Sequence, residues 1–435
     1  MKKNIIGLLT VMLLQLNGFS QTSNDSILKK IDQNAKIIEE LKDITEKNSR
    51  LKVSGLFQGQ LQFADAVGTK SYAGGDFPAN SNYRFGVKRG RIKTVYSGNL
   101  TQYVFQIDAS DAGVTLRDVY MEVTEPWMKT VSLTGGIFFR PFGYELELSE
   151  TIREAPERAR IIQILFPQER DLGSMIRIAP KNGCLKYFNL RGGLFAGNGI
   201  APENDKNKDF IGRFGFHIPI PEQTGLTIAG GVSTYVGKVM RDNGTVGGRK
   251  IGSYSYNPSD MMFHTLDSNS FSPVMKRQYL GFDLELVYKM PVLGPMSLRA
   301  EYIFGIQPGT ATSSAFYKSY QSVSSGNLFM RNFAGYFITW SQYFGPKNQL
   351  ILHCDSYDPN TRLTGNQINA VAGSMTGYAD IKYTTFGLGW AYFWDNNIKF
   401  MLYYDLVRNE ECPNMAGYTS DIADNVVTFR MQYKF

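Results

Sequence analysis

The sequence of 435 residues holds only three cysteines, three histidines and four tryptophans, and the first two scarcities each close off a class of protein. Cys184, Cys354 and Cys412 are odd in number and have no Cys-x-x-Cys spacing, so neither a disulfide framework nor a zinc site is written here. His217, His264 and His353 stand singly, with no Ser, His and Asp grouping around them, so no nucleophile with a positioned base is legible. The reading is of a non-enzyme, with no catalytic residues, no metal and no cofactor. A strong charge of one sign is also missing. The formal +7 becomes +5 once Lys2 and Lys3 are removed, which is no nucleic-acid footprint. Beyond residue 20 no run approaches the roughly 18–20 consecutive apolar residues that a spanning helix needs. If the chain crosses a membrane, it crosses with strands.

What is present begins with a leader. Lys2 and Lys3 precede an apolar run from Ile5 to Leu16, and small residues Gly18 and Ser20 flank a cut before Gln21, so residues 1–20 are expected to be a secretory signal peptide. Residues 21–50 follow as a periplasmic helix. Ile27, Ile31, Asn34, Ile38, Leu41 and Thr45 recur at alternating steps of four and three, a heptad seam that predicts coiled-coil association, with Asn34 setting register.

From Leu51 to Phe435 the chain reads as a transmembrane antiparallel β-barrel of all-β class. Sixteen strands are expected, over 51–64, 83–97, 100–109, 114–124, 129–140, 171–179, 184–197, 208–218, 224–238, 274–290, 295–306, 328–345, 348–357, 380–394, 396–408 and 425–435. Connections after even-numbered strands are short and rich in turn residues, such as Ser97-Gly98-Asn99 and Phe344-Gly345-Pro346-Lys347. Those after odd-numbered strands are mostly long and polar: 65–82, 141–170, 198–207, 239–273, 307–327, 358–379 and 409–424. Tight turns on one side and long loops on the other are what a barrel in the Gram-negative outer membrane shows. Closure removes the unpaired edges that lipid cannot satisfy.

Period two assigns the faces. In the final segment Val427, Phe429, Met431, Tyr433 and Phe435 alternate with Thr428, Arg430, Gln432 and Lys434, one face for lipid and one for water. The same parity turns Arg89, Arg91, Lys93, Arg177, Arg191 and Arg213 inward as pore-lining groups, opposite Asp108, Asp118, Glu122, Asp283 and Glu285. An interior this charged is expected to hold water.

Several motifs between 85 and 175 resemble the phosphate-selective porin family, types O and P, in its Bacteroidetes form. They are Phe85-Gly-Val-Lys-Arg-Gly-Arg91, Leu116-Arg-Asp-Val-Tyr120, Gly136-Ile-Phe-Phe-Arg-Pro-Phe-Gly-Tyr-Glu145, Pro156-Glu-Arg-Ala-Arg160 and Pro167-Gln-Glu-Arg-Asp-Leu-Gly173. The resemblance implies a homotrimer of 16-stranded barrels whose third outer loop, 141–170, folds inward and narrows the channel. Arg140 at its start and Glu145, Arg153, Arg158, Arg160 and Arg170 within it are the constriction residues it implies. The loop itself adds Phe142, Ile161, Ile164, Leu165 and Phe166, an apolar set suited to packing on an inner wall.

The function expected is passive diffusion of small hydrophilic solutes through a water-filled porin, with mild anion or phosphate preference from Arg89, Arg91 and Lys93. Membrane lipid and small or anionic solutes are the expected partners. The alternative is a substrate-specific outer-membrane transporter for glycans or apolar ligands, since the loops 239–273 and 307–327 are rich in Tyr, Ser, Asn and Met.

Overall fold

The computed structural model describes residues 33–34, 36–39, 50–203, 205–220, 225–240, 245–246, 249–250, 252–266, 274–316 and 327–435. Of the first unit, residues 1–52, residues 33–34 and 36–39 are helical, and the expected signal peptide and most of the heptad seam lie outside the described residues. No helix among the described residues is long and apolar enough to cross a membrane.

The second unit is a barrel of sixteen antiparallel strands. They are β1 (Leu51–Ala64), β2 (Tyr83–Ser97), β3 (Thr101–Ser110), β4 (Gly113–Thr124), β5 (Val131–Phe139), β6 (Arg170–Ile178), β7 (Phe188–Phe195), β8 (Asp209–Pro219), β9 (Leu226–Met240), β10 (Val274–Met290), β11 (Gly294–Gly309), β12 (Leu328–Phe344), β13 (Asn348–Asp358), β14 (Tyr383–Phe393), β15 (Ile398–Asn409) and β16 (Val426–Lys434). Each pairs with the next, and β1 pairs with β16, so no barrel edge is left open. The expected strand number stands. The strand boundaries agree with those expected to within three residues except at the start of β7, where residues 184–187 form a short 3-10 turn.

The seam that closes the barrel shows why the strands hold their register. Gln58, Gln60 and Gln62 on β1 face Gln432, Arg430 and Thr428 on β16. Gln58 donates to Gln432 at 2.8 Å, Gln62 to Thr428 at 2.8 Å, and Arg430 Nε to Gln60 at 3.1 Å. Slipping by one residue would turn this polar row to lipid and Phe429, Met431 and Tyr433 inward. Those three are exposed in the structure, as are Phe386, Leu388, Trp390 and Trp394 at the end of β14. Tight turns carry their own clamps. The Glu125 carboxylate accepts from the backbone N–H groups of Thr130, Trp127 and Met128 across the turn before β5, and those bonds hold its pKa down.

Above the barrel, two strands at Ser253–Asn257 and Met262–Thr265 pair as a hairpin, and the first runs parallel to Leu328–Met330 of β12. Tyr256, Phe263, Phe329, Leu363, Ile368, Ile381, Cys412 and Met415 form a separate apolar cluster there. Three long outer loops thus share one small core.

Candidate functional site: a loop folded into the bore

After β5 the chain turns into the barrel. Gly143 stands at φ +60° with its position crowded by the Glu301 carboxylate, so a side chain fits neither the backbone nor the space. Its N–H donates to Ser233 Oγ on β9 at 2.9 Å, and the Tyr144 N–H donates to Glu301 on β11 at 3.2 Å. Further along, Thr151 O accepts from Gln432 on β16 at 3.1 Å, Arg153 O from Lys399 on β15 at 3.3 Å, and Glu154 pairs with Arg299 on β11. Contacts to strands this far apart around the wall are possible only from inside.

One edge of this segment is dry. Phe142, Leu146, Ile161, Ile162, Leu165 and Phe166, most of them on or beside the short α-helix α1 (Arg160–Leu165), are essentially inaccessible. They pack on a belt of inward-facing wall residues: Phe138, Met175, Phe195, Ile211, Tyr235, Tyr279, Ile303, Phe333, Phe337 and Tyr357. The belt takes a residue from every strand between β5 and β13. Gly281 on β10 leaves the room that the Phe142 ring fills, since a Cβ there would lie 2.8 Å from it. Each such buried side chain contributes about 1.5–3 kcal/mol to docking. The expectation that the whole interior holds water is therefore corrected. Parity correctly turned these positions inward, but what stands opposite them is the loop.

The other edge is charged. Glu150 lies 2.5 Å from Arg91 and 3.4 Å from Arg158, Glu157 lies 2.6 Å from Arg430 and 3.3 Å from Arg89, and Glu169 lies 2.7 Å from Arg158. Burial opposes ionisation of Glu150, but Arg91, Arg158 and Arg89 override it and hold the carboxyl well below its ordinary range. Lys88, Arg89 and Arg430 do the same against burial for Glu157. Glu169 is lowered to about 2, with Arg158 the main opponent of burial. Glu145 goes the other way: burial raises it, Arg158 only partly offsetting the effect.

The predicted pore-lining groups thus have different fates. Arg89 and Arg91 are buried beneath loop carboxylates, Arg91 also 2.7 Å from Asp108, so they do not present free charge to a solute. Arg191 pairs with Glu147, Arg213 with Asp283 at 2.5 Å, and Arg177, half-exposed, with Glu122 at 2.6 Å. Lys93 alone of the six has no hydrogen bond or ion pair among the described residues. In the loop, Arg140 pairs with Asp171 at 3.3 Å, Arg170 with Asp118 at 2.9 Å, and Arg153 donates to the carbonyls of Ala155 and Pro156. The Arg160 side chain makes neither a hydrogen bond nor an ion pair among the described residues.

Cavities remain inside the barrel and among its loops. One of about 490 Å³ lies on the outer side between the loop and β1–β4, lined by Arg84, Lys88, Arg89, Arg117 and Arg158 against Asp111, Glu157 and Glu169. A second, of about 550 Å³, opens at the turn side, lined by Lys129, Arg177, Lys181, Lys186 and His217 with no carboxylate. Sequence reasoning did not single out these lysines: Lys129 and Lys186 stand at the ends of the expected strands 129–140 and 184–197, which the structure shortens to Val131–Phe139 and Phe188–Phe195, and Lys181 stands in a turn. A third, also about 550 Å³, lies among the outer loops above α1.

The histidines end apart. His264 pairs with Asp260 at 2.6 Å in the outer hairpin, and His217 is exposed at the turn-side mouth. His353 bonds Thr339 Oγ1 at 2.8 Å and Asp355 at 3.2 Å, a hydroxyl, imidazole and carboxylate row that the sequence did not reveal. The cavity beside His353 and Asp355 is about 30 Å³, room for about one water and no substrate. No group of three metal-ligating side chains occurs among the described residues.

No protein-family model and no curated protein matches the chain. Solved structures do match its fold. OprB of Pseudomonas putida superposes with a TM-score of 0.56 at 10% identity, covering 90% of this chain and 96% of that one. An anion-selective porin from Comamonas acidovorans gives 0.50 at 11% identity, covering 88% and 99%, and OmpF of Salmonella typhi gives 0.50 at 13%, covering 88% and 97%. At these identities the likeness is one of fold, and the fold is that of outer-membrane porins. This barrel is a Gram-negative outer-membrane protein.

Proposed function

We propose that the chain is a porin that passes small hydrophilic solutes by diffusion and prefers anions. The observation that carries the reading is a closed barrel with one loop folded inside it and a net basic cavity on either side of that loop. Facing ion pairs along the wall neutralise most of the lumen, so selectivity falls to the groups at the mouths. On the outer side these are Arg84, Lys88 and Arg117. On the turn side they are Lys129, Lys181 and Lys186. The resemblance to phosphate-selective porins of types O and P, carried by the motifs between 85 and 175, supports phosphate as one of the anions and a homotrimer as the assembly.

Planar-bilayer recording in a salt gradient with phosphate tests this. Ohmic, unsaturating current with a reversal potential on the anion side is expected. Lys129, Lys181 and Lys186 changed together to Gln should move that potential toward cations without altering conductance steps, since none of the three touches the loop. An unmoved potential removes these lysines from the mechanism. A barrel that carries no current removes the porin reading itself.

A further inference from the structure

The cavity above α1 contains a cation with no counterpart. Among the described residues, every buried arginine except Arg160 makes a hydrogen bond or ion pair to a carboxylate or carbonyl. Arg160 is 8% exposed and its Nε is buried without a partner. It rests instead between two aromatic faces, with its guanidinium carbon 4.7 Å from the Tyr72 ring centre and 3.9 Å from that of Tyr383. The acidic residues in the cavity wall, Asp76 and Asp424, both stay beyond ion-pair distance of it, and Asp424 has an unpartnered oxygen of its own. A guanidinium is a planar fork suited to a carboxylate, and leaving it unpaired in a buried setting is costly.

The surroundings say what else the ligand carries. Tyr378 and Tyr418 meet edge to face at 5.4 Å on the rim, and with Tyr72, Tyr357 and Tyr383 they give the cavity five aromatic rings. Between them the lining is largely polar, with the hydroxyls and amide of Ser71, Gln163, Ser313 and Ser314 and the charged Lys70, Asp76, Lys88 and Asp424. Aromatic faces accept a flat ring, and polar groups in such number match a ring bearing many hydroxyls better than a hydrocarbon one. A volume of about 550 Å³ suits a ligand of a few rings at most.

We propose that this cavity is a binding site for an acidic saccharide, a pyranose ring carrying a carboxylate, with Arg160 taking the carboxylate and the tyrosines stacking on the ring. The inference deepens the porin reading by naming a solute class, and it uses the channel only as a readout. The apolar face of α1 is held on the wall belt, so the site is built by the same docking that carries the loop into the bore.

Trigalacturonate added to the outer side of a reconstituted full-length barrel is the probe. Saturable, discrete interruptions of current are expected from the outer side, with maltotriose at least about ten times weaker because it lacks the charge-assisted bonds. Arg160→Gln should weaken trigalacturonate about tenfold and leave maltotriose unchanged, Arg160→Lys should recover part of the loss, and Tyr378→Ala should weaken both sugars. Because Arg160 begins α1, Tyr378→Ala on the rim keeps the test meaningful if the arginine variant fails to assemble. Equal affinity for the two sugars, stronger interruption by benzoate than by trigalacturonate, or indifference to Tyr378→Ala would overturn the proposal. If the barrel conducts nothing, the porin reading fails alone, and calorimetric titration of the detergent-solubilised protein with the same two sugars decides the site.

Discussion

The two halves of the inner wall do opposite things with the same alternation. From β5 to β13 a belt of inward residues, most of them Phe, Tyr and Ile, packs against the loop, while the inward positions of β1–β4, β15 and β16 include Gln58, Gln60, Arg89, Arg91, Asp108, Asp118, Lys399 and Arg430. The loop matches both, with Phe142, Ile161 and Leu165 on one edge and Glu150, Glu157 and Glu169 on the other. An inward residue in a barrel is therefore defined by its opposite number as much as by parity. The greasy edge supplies affinity with little angular preference, whereas the ion pairs fix where the loop sits, because a misplaced buried charge is penalised.

The most damaging way to test that division is to put charge into the dry half. Ile161→Asp should undock the loop, since an unpaired buried carboxylate costs about 3–5 kcal/mol in addition to the lost packing. Single-channel conductance should rise severalfold. An unchanged conductance would mean that the apolar belt does not hold the loop.

On the charged side, Glu150→Gln should have a smaller effect, about 1–3 kcal/mol, because Arg91 keeps Asp108 and Arg158 keeps Glu169. Mean conductance should stay near wild type while current noise increases. A loss as large as that of Ile161→Asp would put the main anchor on the ionic edge.

Acid sharpens the contrast without a mutation. Glu150 and Glu157 are held well below their ordinary value of 4.5 and Glu169 near 2 in the docked loop, so the undocked loop binds more protons. Their contribution is complete above about pH 4.5 and is lost as pH falls toward 2. Glu145, raised by burial, favours docking as pH falls through the range above its ordinary value, so docking should be firmest just above pH 4.5. Conductance traces taken stepwise from pH 6 to pH 3 should show the least noise just above pH 4.5 and the main growth below it. Noise that falls as pH drops from 4.5 to 3 would reverse the assignment.

The mildest effect is expected at Asp424, which burial pushes up to about 6 against the pull of Arg160. Above pH 6 its carboxylate competes for that guanidinium, and below it the competitor is neutral while a uronate is still charged. Trigalacturonate affinity should improve a few-fold from pH 7 to pH 5 and become flat in Asp424→Asn. A flat profile in the unaltered protein would exclude Asp424 as a competitor.

Much of this was legible in the sequence. Strand number, the sorting of loops by length and the facing of residues such as Phe386, Arg430 and Gln432 follow from period two, which needs only local information. The inward course of 141–170 came from a resemblance and from an apolar set that a solvated loop has no use for. What escaped has a common cause. The partners of Arg89 and Arg91 are Glu157 and Glu150, far along the chain, and no local pattern states that they meet. The dry belt left a trace, since Phe195, Tyr235, Tyr279, Phe333 and Tyr357 are large and apolar at inward parity near the same end of their strands. Tyr72, Tyr378 and Tyr418 left none, because irregular loops bring them together.

The seam between β1 and β16 joins the two strands most distant in sequence, with Gln58 bonded to Gln432 and Gln60 to Arg430. Until both are present the sheet is an open ribbon whose two borders each expose a row of unsatisfied amides to bilayer or to another molecule. Sealing is thus an all-or-nothing final act, and whatever inserts this protein has to chaperone two raw margins for as long as the ribbon is incomplete.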